Sequence, residues 1–269
     1  MTNVETQPKD HAPSRSADLQ LIPFDAPWMW LAAGWRDFWF APVVSFCYGG
    51  MFAGLAAALS LGLLSYGLEA LILPLSGGFL LIGPVAALGL YETSRRLETY
   101  ESVELVDITC AALRKAGRTS FFAAILGFIY LVWVQLAFLL VMLFMGTSQL
   151  PAAKEFIPTL LFTPPGLALL MAGTCAGGLL AFLVFSVSVV SVPLLMTRNV
   201  DAVTAVRTSV AAVVKNPKPM LLWAGLIAGL MVLGLATLFV GLVVVFPLIG
   251  YATWHAFRDV VIPEPSGYL

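Results

Sequence analysis

Four long stretches of this chain contain no lysine or arginine, and this distribution of charge constrains the fold more than any other feature. The stretches are Val43–Leu90, Phe121–Leu150, Leu167–Met196 and Met220–Thr253, and their only acidic residue is Glu69. A helix of about 20 apolar residues crosses the ~30 Å hydrocarbon core of a bilayer, where each charge costs about 3 kcal/mol. The composition agrees, with 11% charged residues against about 25% in soluble domains, and a mean hydropathy of +0.94. The sequence therefore predicts an all-α, polytopic membrane protein.

Six transmembrane helices fit these stretches. The first stretch has 48 residues and the last has 34, which is about 72 Å and about 51 Å of helix, so each must fold back as a hairpin. The turns fall at Ser65–Glu69 and near Thr237–Gly241. The predicted spans are about 43–64, 70–90, 121–144, 167–190, 220–236 and 238–254. They form one membrane domain, 28–262, between a disordered polar tail, 1–27, and a C-terminal tail, 263–269.

The basic residues test this topology. Six spans place 13 of the 14 lysines and arginines on one side of the membrane and only Lys154 on the other. The basic side is cytoplasmic by the positive-inside rule. We therefore expect a protein of the bacterial inner membrane with both termini in the cytoplasm. The basic side holds Lys9, Arg15, Arg36, Arg95, Arg96, Arg114, Lys115, Arg118, Arg198, Arg207, Lys215, Lys218 and Arg258.

Each predicted hairpin follows a short amphipathic segment, at about 28–40, 103–118 and 201–215. In the first, Trp28, Leu31, Trp35, Phe38 and Trp39 form a stripe that leaves out Arg36 and Asp37. In the third, Val203, Val206, Val210 and Val213 form the stripe. Helices of this kind lie in the membrane interface. The pattern favours three units, each an interfacial cytoplasmic helix followed by a hairpin.

Proline and glycine add detail to these units. The second helix of each hairpin contains a proline near its cytoplasmic end, and we expect helix kinks at Pro84, Pro193 and Pro247. Small residues spaced as GxxxG allow close contact between membrane helices. The predicted packing glycines are Gly50, Gly54, Gly173, Gly177, Gly225 and Gly229.

The sequence contains few groups that could carry chemistry. It has no metalloprotease HExxH, no nucleophile GxSxG and no phosphate-binding P-loop. The two histidines, His11 and His255, are too few for the haem and copper ligands of an oxidase core. We therefore expect no catalytic site, no cofactor and no metal site. Gln135, in the middle of a span, is the best candidate for a transport path, and the alternative is a hydrogen bond between helices.

Most of the chain after the tail resembles a known family, most specifically in its C-terminal half. The segments concerned are Pro193–Asp201, Asn216-Pro217 and Phe246–Tyr251. They resemble a bacterial family of predicted integral membrane proteins of unknown function, some of whose members are labelled cytochrome c oxidases. Given the histidine count, that label implies at most an association with an oxidase.

Two functions remain open at this stage. One is a non-catalytic accessory, assembly or organising component of an inner-membrane complex, such as a respiratory oxidase. The other is a channel or permease for a small solute, and the apolar loop 145–166 would then be a lid rather than a surface segment. The net charge of −1 gives no reason to expect nucleic acid as a partner.

Overall fold

The computed structural model describes residues 18–68, 71–146 and 153–262, and this part of the chain is predominantly helical. Within it, four segments are long and apolar enough to cross a membrane, namely Pro42–Ser65, Thr119–Met145, Pro164–Thr197 and Pro217–Ala236. The helices are α1 (Ala26–Phe40), α2 (Pro42–Ser65), α3 (Ile72–Phe79), α4 (Gly83–Ala86), α5 (Leu88–Glu98), α6 (Leu105–Met145), α7 (Ala153–Phe162), α8 (Pro164–Ser188), α9 (Ser191–Thr197), α10 (Ala202–Lys215), α11 (Pro217–Ala236) and α12 (Leu242–Val260).

Two of the six predicted spans are not among these four segments. The span predicted at 70–90 falls on α3, a 3₁₀ turn at Leu80–Ile82, α4 and the start of α5, so no single long helix is present. The span predicted at 238–254 falls on α12, which has 19 residues and carries His255, Arg258 and Asp259 in its last turns. The segment at 70–90 is not counted as a candidate span because its helix is interrupted. The segment at 238–254 is not counted because polar side chains at the end of α12 lower the hydropathy of that helix.

The first and third predicted units share one backbone joint. Ala41 and Asn216 have nearly the same dihedral angles, φ −126°, ψ 59° and φ −124°, ψ 55°. Each N–H donates to the carbonyl four residues earlier, and each residue is followed by a proline that opens the next helix. Proline at the first position of a helix loses no hydrogen bond, because that N–H would have no partner inside the helix. The chain therefore repeats a helix–joint–helix element at α1–α2 and α10–α11.

The middle unit is different, and the separate interfacial helix predicted at 103–118 is wrong. Residues 105–145 form one uninterrupted helix of 41 residues, α6, about 62 Å long. The segment lacks a proline, so nothing stops the helix before the apolar stretch. Its first turns continue into the candidate span rather than forming a helix of their own.

The core of the bundle is built around α12. Leu242, Tyr251, Trp254 and Val260 on this helix are at most 1% exposed. Two neighbours approach it through glycine. A methyl group on Gly34 of α1 would lie 2.8 Å from the backbone nitrogen of Ala252, and a methyl group on Gly49 of α2 would lie 2.0 Å from the carbonyl oxygen of Val243. Only glycine allows helices to approach so closely.

The buried faces of α1 and α10 differ from the predicted stripes. In α1 the buried residues include Trp30, Gly34 and Asp37, whereas Trp28 and Trp39 of the predicted stripe are more than half exposed. In α10 the buried residues are Ala205, Thr208, Ser209, Ala212 and Val213, so only Val213 of the predicted stripe is buried. In α10 small and polar side chains face the neighbouring helices, as is common in membrane bundles, whereas the buried face of α1 also contains the large Trp30 and Phe38.

Part of the tail that was predicted to be disordered is ordered. Residues 1–17 lie outside the described residues, but Leu19 pairs with Val261 in an antiparallel bridge. The side chain of Asn216 accepts a hydrogen bond from the N–H of Ile22 and donates one to the carbonyl of Gln20. An amide side chain can satisfy both kinds of backbone group, and this holds the segment 18–25 against the ends of α10 and α12.

The predicted loop 145–166 contains a helix. Residues 147–152 lie outside the described residues, and α7 packs against α8 after them. The hydroxyl of Thr163 accepts a hydrogen bond from the N–H of Gly166 and donates one to the carbonyl of Thr159, which fixes the turn between the two helices. Val141, Leu160 and Leu169 form a small apolar cluster beneath this turn.

Candidate functional site

A carboxylate buried between α1, α5 and α12 is the first element of the candidate site. Asp37 is 5% exposed. Its Oδ2 atom accepts hydrogen bonds from the hydroxyl of Ser94, at 2.6 Å, and from Nε2 of His255, at 2.8 Å. The sequence pattern left Asp37 outside the apolar stripe of α1, and His255 was considered as one of two histidines too few for haem and copper ligands. The available signal was a carboxylate in a largely apolar helix, six residues before the first predicted span.

The polar contacts continue from His255 to the end of α5. Nδ1 of His255 lies 3.8 Å from a carboxylate oxygen of Glu98. Glu98 also accepts a hydrogen bond from Nε1 of Trp254, at 3.0 Å, and pairs with Arg258, at 3.2 Å. On the other side of α12, Nε1 of Trp30 donates to Asp259 at 2.6 Å. Side chains of α5 and α1 are thus paired along the last two turns of α12.

A second cluster surrounds Glu92, which is 2% exposed. Its carboxylate accepts hydrogen bonds from Arg95 and Arg96 on its own helix and from Lys115 on α6. Burial, the largest single influence, raises the pKa of Glu92, but hydrogen bonds from Arg95 and Lys115 outweigh it and hold the pKa at about 2. A buried carboxylate of this kind requires its partners, because an unpaired buried charge is very costly. Glu92 therefore ties α5 to the first half of α6.

The arrangement joins helices and contains paired rather than free groups. Asp37, Glu92 and Glu98 each contact cationic or donor side chains from a second helix. A third polar contact, between the hydroxyls of Ser45 and Tyr251 at 2.9 Å, joins α2 to α12. Chemically, these groups can fix the relative positions of α1, α2, α5, α6 and α12 where the helices leave the apolar stretches.

An apolar cavity of about 450 Å³ lies between α3–α5, α8, α11 and α12. Among the described residues that line it there is no lysine, arginine, histidine or carboxylate. The polar side chains among them are Tyr91, Ser188 and Thr253, each the last lining residue of its helix, α5, α8 and α12 respectively. The remaining walls come from Gly77, Leu81, Gly83, Pro84, Ala87, Gly178, Ala181, Phe182, Val184, Phe185, Val189, Leu221, Ala224, Ile227, Ala228, Met231, Phe246, Ile249 and Gly250.

Gln135, the predicted candidate for a transport path, does not line this cavity. Its side chain is exposed on the outer face of α6. The exposed residues around it are apolar, and no hydrogen bond joins its amide to the rest of the described chain. The polar pathway expected past Gln135 is therefore not present at this cavity.

The three prolines predicted to kink helices have different surroundings. The helical run is interrupted next to Pro84, by the 3₁₀ turn, and next to Pro193, between α8 and α9. At the second break the hydroxyl of Ser209 on α10 accepts a hydrogen bond from the N–H of Val190 and donates one to the carbonyl of Ser186. Pro247 lies inside the uninterrupted α12.

Most of the predicted packing glycines have open space around them. A methyl group on Gly50, Gly54, Gly173, Gly225 or Gly229 would meet nothing within 4 Å, and only Gly177 approaches a neighbour, the ring of Trp133. Other close approaches between helices occur at Gly34, Gly49, Gly78, Gly89, Gly234 and Gly250. Apart from Gly177, the predicted packing glycines lie on faces that the rest of the described chain does not cover.

A comparison with known families gives one match. Residues 72–197 match the family described as "predicted integral membrane protein (DUF2189)", whose function is unknown. This segment runs from the start of α3 to the end of α9. Of the residues on which the resemblance was based, it includes only Pro193–Thr197.

A search of the curated proteins and one of the solved structures each find no match to this chain. The family match and the apolar helices agree that this is an integral membrane protein with several apolar helices. Over residues 72–197, a little under half of the chain, the sequence is similar to the DUF2189 family of predicted integral membrane proteins.

Proposed function

We propose that this protein is a non-catalytic accessory, assembly or organising component of a membrane complex. The observation that carries the proposal is the position of Gln135 in the middle of an exposed apolar face of α6. A respiratory oxidase is one complex in which such a component would fit. The proposed partner contact is with a transmembrane helix of another protein.

The face around Gln135 has the composition of a helix contact surface. Phe128, Leu131, Phe138 and Leu139 lie within two turns of Gln135, and their exposures are 67%, 64%, 38% and 60%. Only 17% of the most apolar window of this span is buried inside the bundle, the lowest share of the four candidate spans. The outer face of α6 is thus left to lipid or to another protein.

The amide of Gln135 favours a protein over lipid. Gln135 is three residues from the centre of the segment Thr119–Met145, about 4.5 Å along the axis. A polar group costs free energy in hydrocarbon unless it finds a hydrogen-bond partner, and glutamine side chains join membrane helices by hydrogen bonds. A partner helix with a polar side chain at the same depth would satisfy the amide and also fix the register of the contact.

The proposal includes a topology. The six spans would comprise the four long apolar segments together with α3–α5 and α12, arranged as three hairpins in the bacterial inner membrane with both termini in the cytoplasm. The distribution of 13 of 14 basic residues supports this arrangement. In this topology α1 and α10 lie at the cytoplasmic side, next to the clusters around Asp37 and Glu92.

Site-specific photo-crosslinking in the membrane tests the proposed contact. A photoreactive amino acid replaces Leu131, one turn from Gln135, and the matched control replaces Met171, which is 69% exposed on α8. We expect a discrete protein adduct from position 131 only, and mass spectrometry identifies the partner. The additional change Gln135→Leu should lower the yield of that adduct several-fold.

Two results would overturn the proposal. One is an adduct at position 131 that contains only lipid, or that is insensitive to Gln135→Leu. The other is flux of small solutes through the purified protein in liposomes, which would favour the channel or permease. The lack of a redox cofactor is tested separately, by the haem and copper content of the protein purified without partners.

A further inference from the structure

Two hydroxyl groups in the lining of the apolar cavity have no hydrogen-bond partner among the described residues. Tyr91 is 3% exposed and Ser188 is 2% exposed, and both line the cavity. Several other buried hydroxyls in the same bundle are paired. Ser45, Ser60 and Thr93, for example, each donate to the carbonyl four residues earlier. The two cavity hydroxyls differ from these paired groups.

The space next to these hydroxyls is the cavity itself. Among the described residues, only Nε1 of Trp223 is both fully inaccessible and without a partner. The hydroxyls of Tyr91 and Ser188 consequently keep contact with accessible space, and the cavity is the space that both residues line. A buried polar group that lacks a partner costs about 1–3 kcal/mol, so a ligand that accepts hydrogen bonds there would relieve a real penalty.

The cavity is shaped for a long apolar molecule. On α11 its wall extends from Leu221 to Met231, about 15 Å. Its volume of about 450 Å³ lies within the usual range for ligand pockets. Glycine contributes to the room, because a methyl group on Gly77, Gly83 or Gly178 would meet nothing within 4 Å.

The hydroxyls of the cavity lie beside other polar features of the bundle. Ser188 is the last residue of α8, and Tyr91 directly precedes the buried Glu92 cluster. Thr253 lies beside them in the lining, although its hydroxyl already donates to the carbonyl of Ile249. Since no cation is among the described residues that line the cavity, a carboxylate or phosphate head would be desolvated there without a counter-charge.

We propose that this cavity binds an uncharged amphiphile from the bilayer, one hydrocarbon chain with a carbonyl or hydroxyl oxygen at its end. The hydroxyls of Tyr91 and Ser188 donate hydrogen bonds to that oxygen, and the chain lies between α8, α11 and α12. This proposal goes beyond the accessory function and does not depend on it. An acyl lipid and an isoprenoid share this chemistry, and the experiment distinguishes them.

Photolabelling of the full-length protein tests the site. The probe is a long-chain primary alcohol with a diazirine in its chain, and the comparison probe is the fatty acid of the same length at pH 8. We expect the alcohol to label α8 or α11 and the ionised acid to label them at least tenfold less. Equal labelling by the two probes, or labelling outside the cavity walls, would overturn the proposal.

Matched variants separate the cavity from the lipid-facing surface. Gly178→Leu fills the cavity, whereas Gly173→Leu makes the same change on an open face of the same helix that does not line it. Labelling should fall several-fold for Gly178→Leu only, at equal thermal stability. If Gly178→Leu fails to fold, the variants of Tyr91 and Ser188 test whether the cavity binds the probe.

The hydroxyl variants test the head contact. Removal of two hydrogen bonds, in the double variant Tyr91→Phe with Ser188→Ala, should weaken binding of the alcohol probe about tenfold. The control is Ser186→Ala, an exposed serine of α8 that donates to Phe182. Unchanged binding in the double variant would overturn the proposal. Mass spectrometry of lipid that copurifies with the wild-type protein, and not with Gly178→Leu, shows whether the natural occupant is an acyl lipid or an isoprenoid.

Discussion

At the scale of single residues, the polar groups of this protein act mainly as joints between helices. Asp37 links α1 to Ser94 on α5 and His255 on α12, and Glu92 links α5 to Lys115 on α6. Buried carboxylates with several donors are costly to disturb, because loss of one partner leaves the others desolvated without compensation. These positions should therefore control stability more than exposed acidic residues do.

The change Asp37→Ala should lower the free energy of unfolding by about 2–3 kcal/mol, because it leaves Ser94 and His255 without their shared acceptor. Thermal or denaturant unfolding in detergent micelles measures the effect. Glu104→Ala is the matched control, since Glu104 is exposed and makes no side-chain cap to α6. Equal stability of the two variants would show that Asp37 is not a structural joint.

The carboxyl of Glu92 should make stability depend on pH below about 4.5. Its pKa is about 2 in the folded protein, whereas the ordinary pKa of a glutamate side chain is 4.5. A depressed pKa gives stability that is complete above the unfolded value and is lost as the pH falls through the folded one. Between pH 4.5 and 2 the wild type should therefore lose about 3 kcal/mol more unfolding free energy than Glu92→Gln. The same slope for both proteins would contradict the ion cluster.

At the scale of elements, helix faces follow the rules of a membrane bundle rather than those of a soluble protein. The tryptophans at 28, 35 and 39 of α1 remain exposed, while Gly34 and Asp37 face inward. Association of helices in lipid depends on close packing and hydrogen bonds, so small and polar residues occupy the contacts. Two adjacent glycines of α2 show the difference between a helix face that packs against a neighbour and one that does not.

Gly49→Ala and Gly50→Ala should have opposite outcomes. A methyl group on Gly49 would overlap the carbonyl of Val243 at 2.0 Å, so α2 must move away from α12, at a cost of about 1–3 kcal/mol. A methyl group on Gly50 meets nothing within 4 Å, and alanine favours a helix by up to about 1 kcal/mol over glycine. Melting temperatures of the two variants check this, and a similar loss for both would contradict the contact between α2 and α12.

At the scale of the whole molecule, the proposed six-span topology depends on α3–α5 and α12 crossing the membrane although neither is a long uninterrupted apolar helix. Both pack in the interior, where α12 contacts α1, α2, α5 and α11. A helix that is covered by others can carry polar residues at its end because its neighbours, rather than lipid, surround them.

Reporter fusions should read as periplasmic after Tyr66, Lys154 and Thr237 and as cytoplasmic after Arg96, Arg207 and Arg258. This follows from the placement of 13 of 14 basic residues on one side. Alkaline phosphatase and green fluorescent protein report the two sides. A cytoplasmic reading at both Tyr66 and Arg96 would show that α3–α5 does not cross, and a cytoplasmic reading at Lys154 would overturn the topology.

The sequence by itself determined that this is a membrane protein, because long apolar stretches without charge are stable in the hydrocarbon core of a bilayer. The joints after Ala41 and Asn216 are also local features, since Pro42 and Pro217 act through backbone sterics. Only the tertiary structure decided which faces meet. The burial of Asp37, the open space at most GxxxG glycines and the outward position of Gln135 depend on neighbours distant in sequence. The ordered segment 18–25 depends on hydrogen bonds to Asn216 that hydropathy does not report. Because most helix faces of this chain are apolar, hydrophobicity identifies the segments that lie in the membrane. Close packing and hydrogen bonds determine which helices contact one another there.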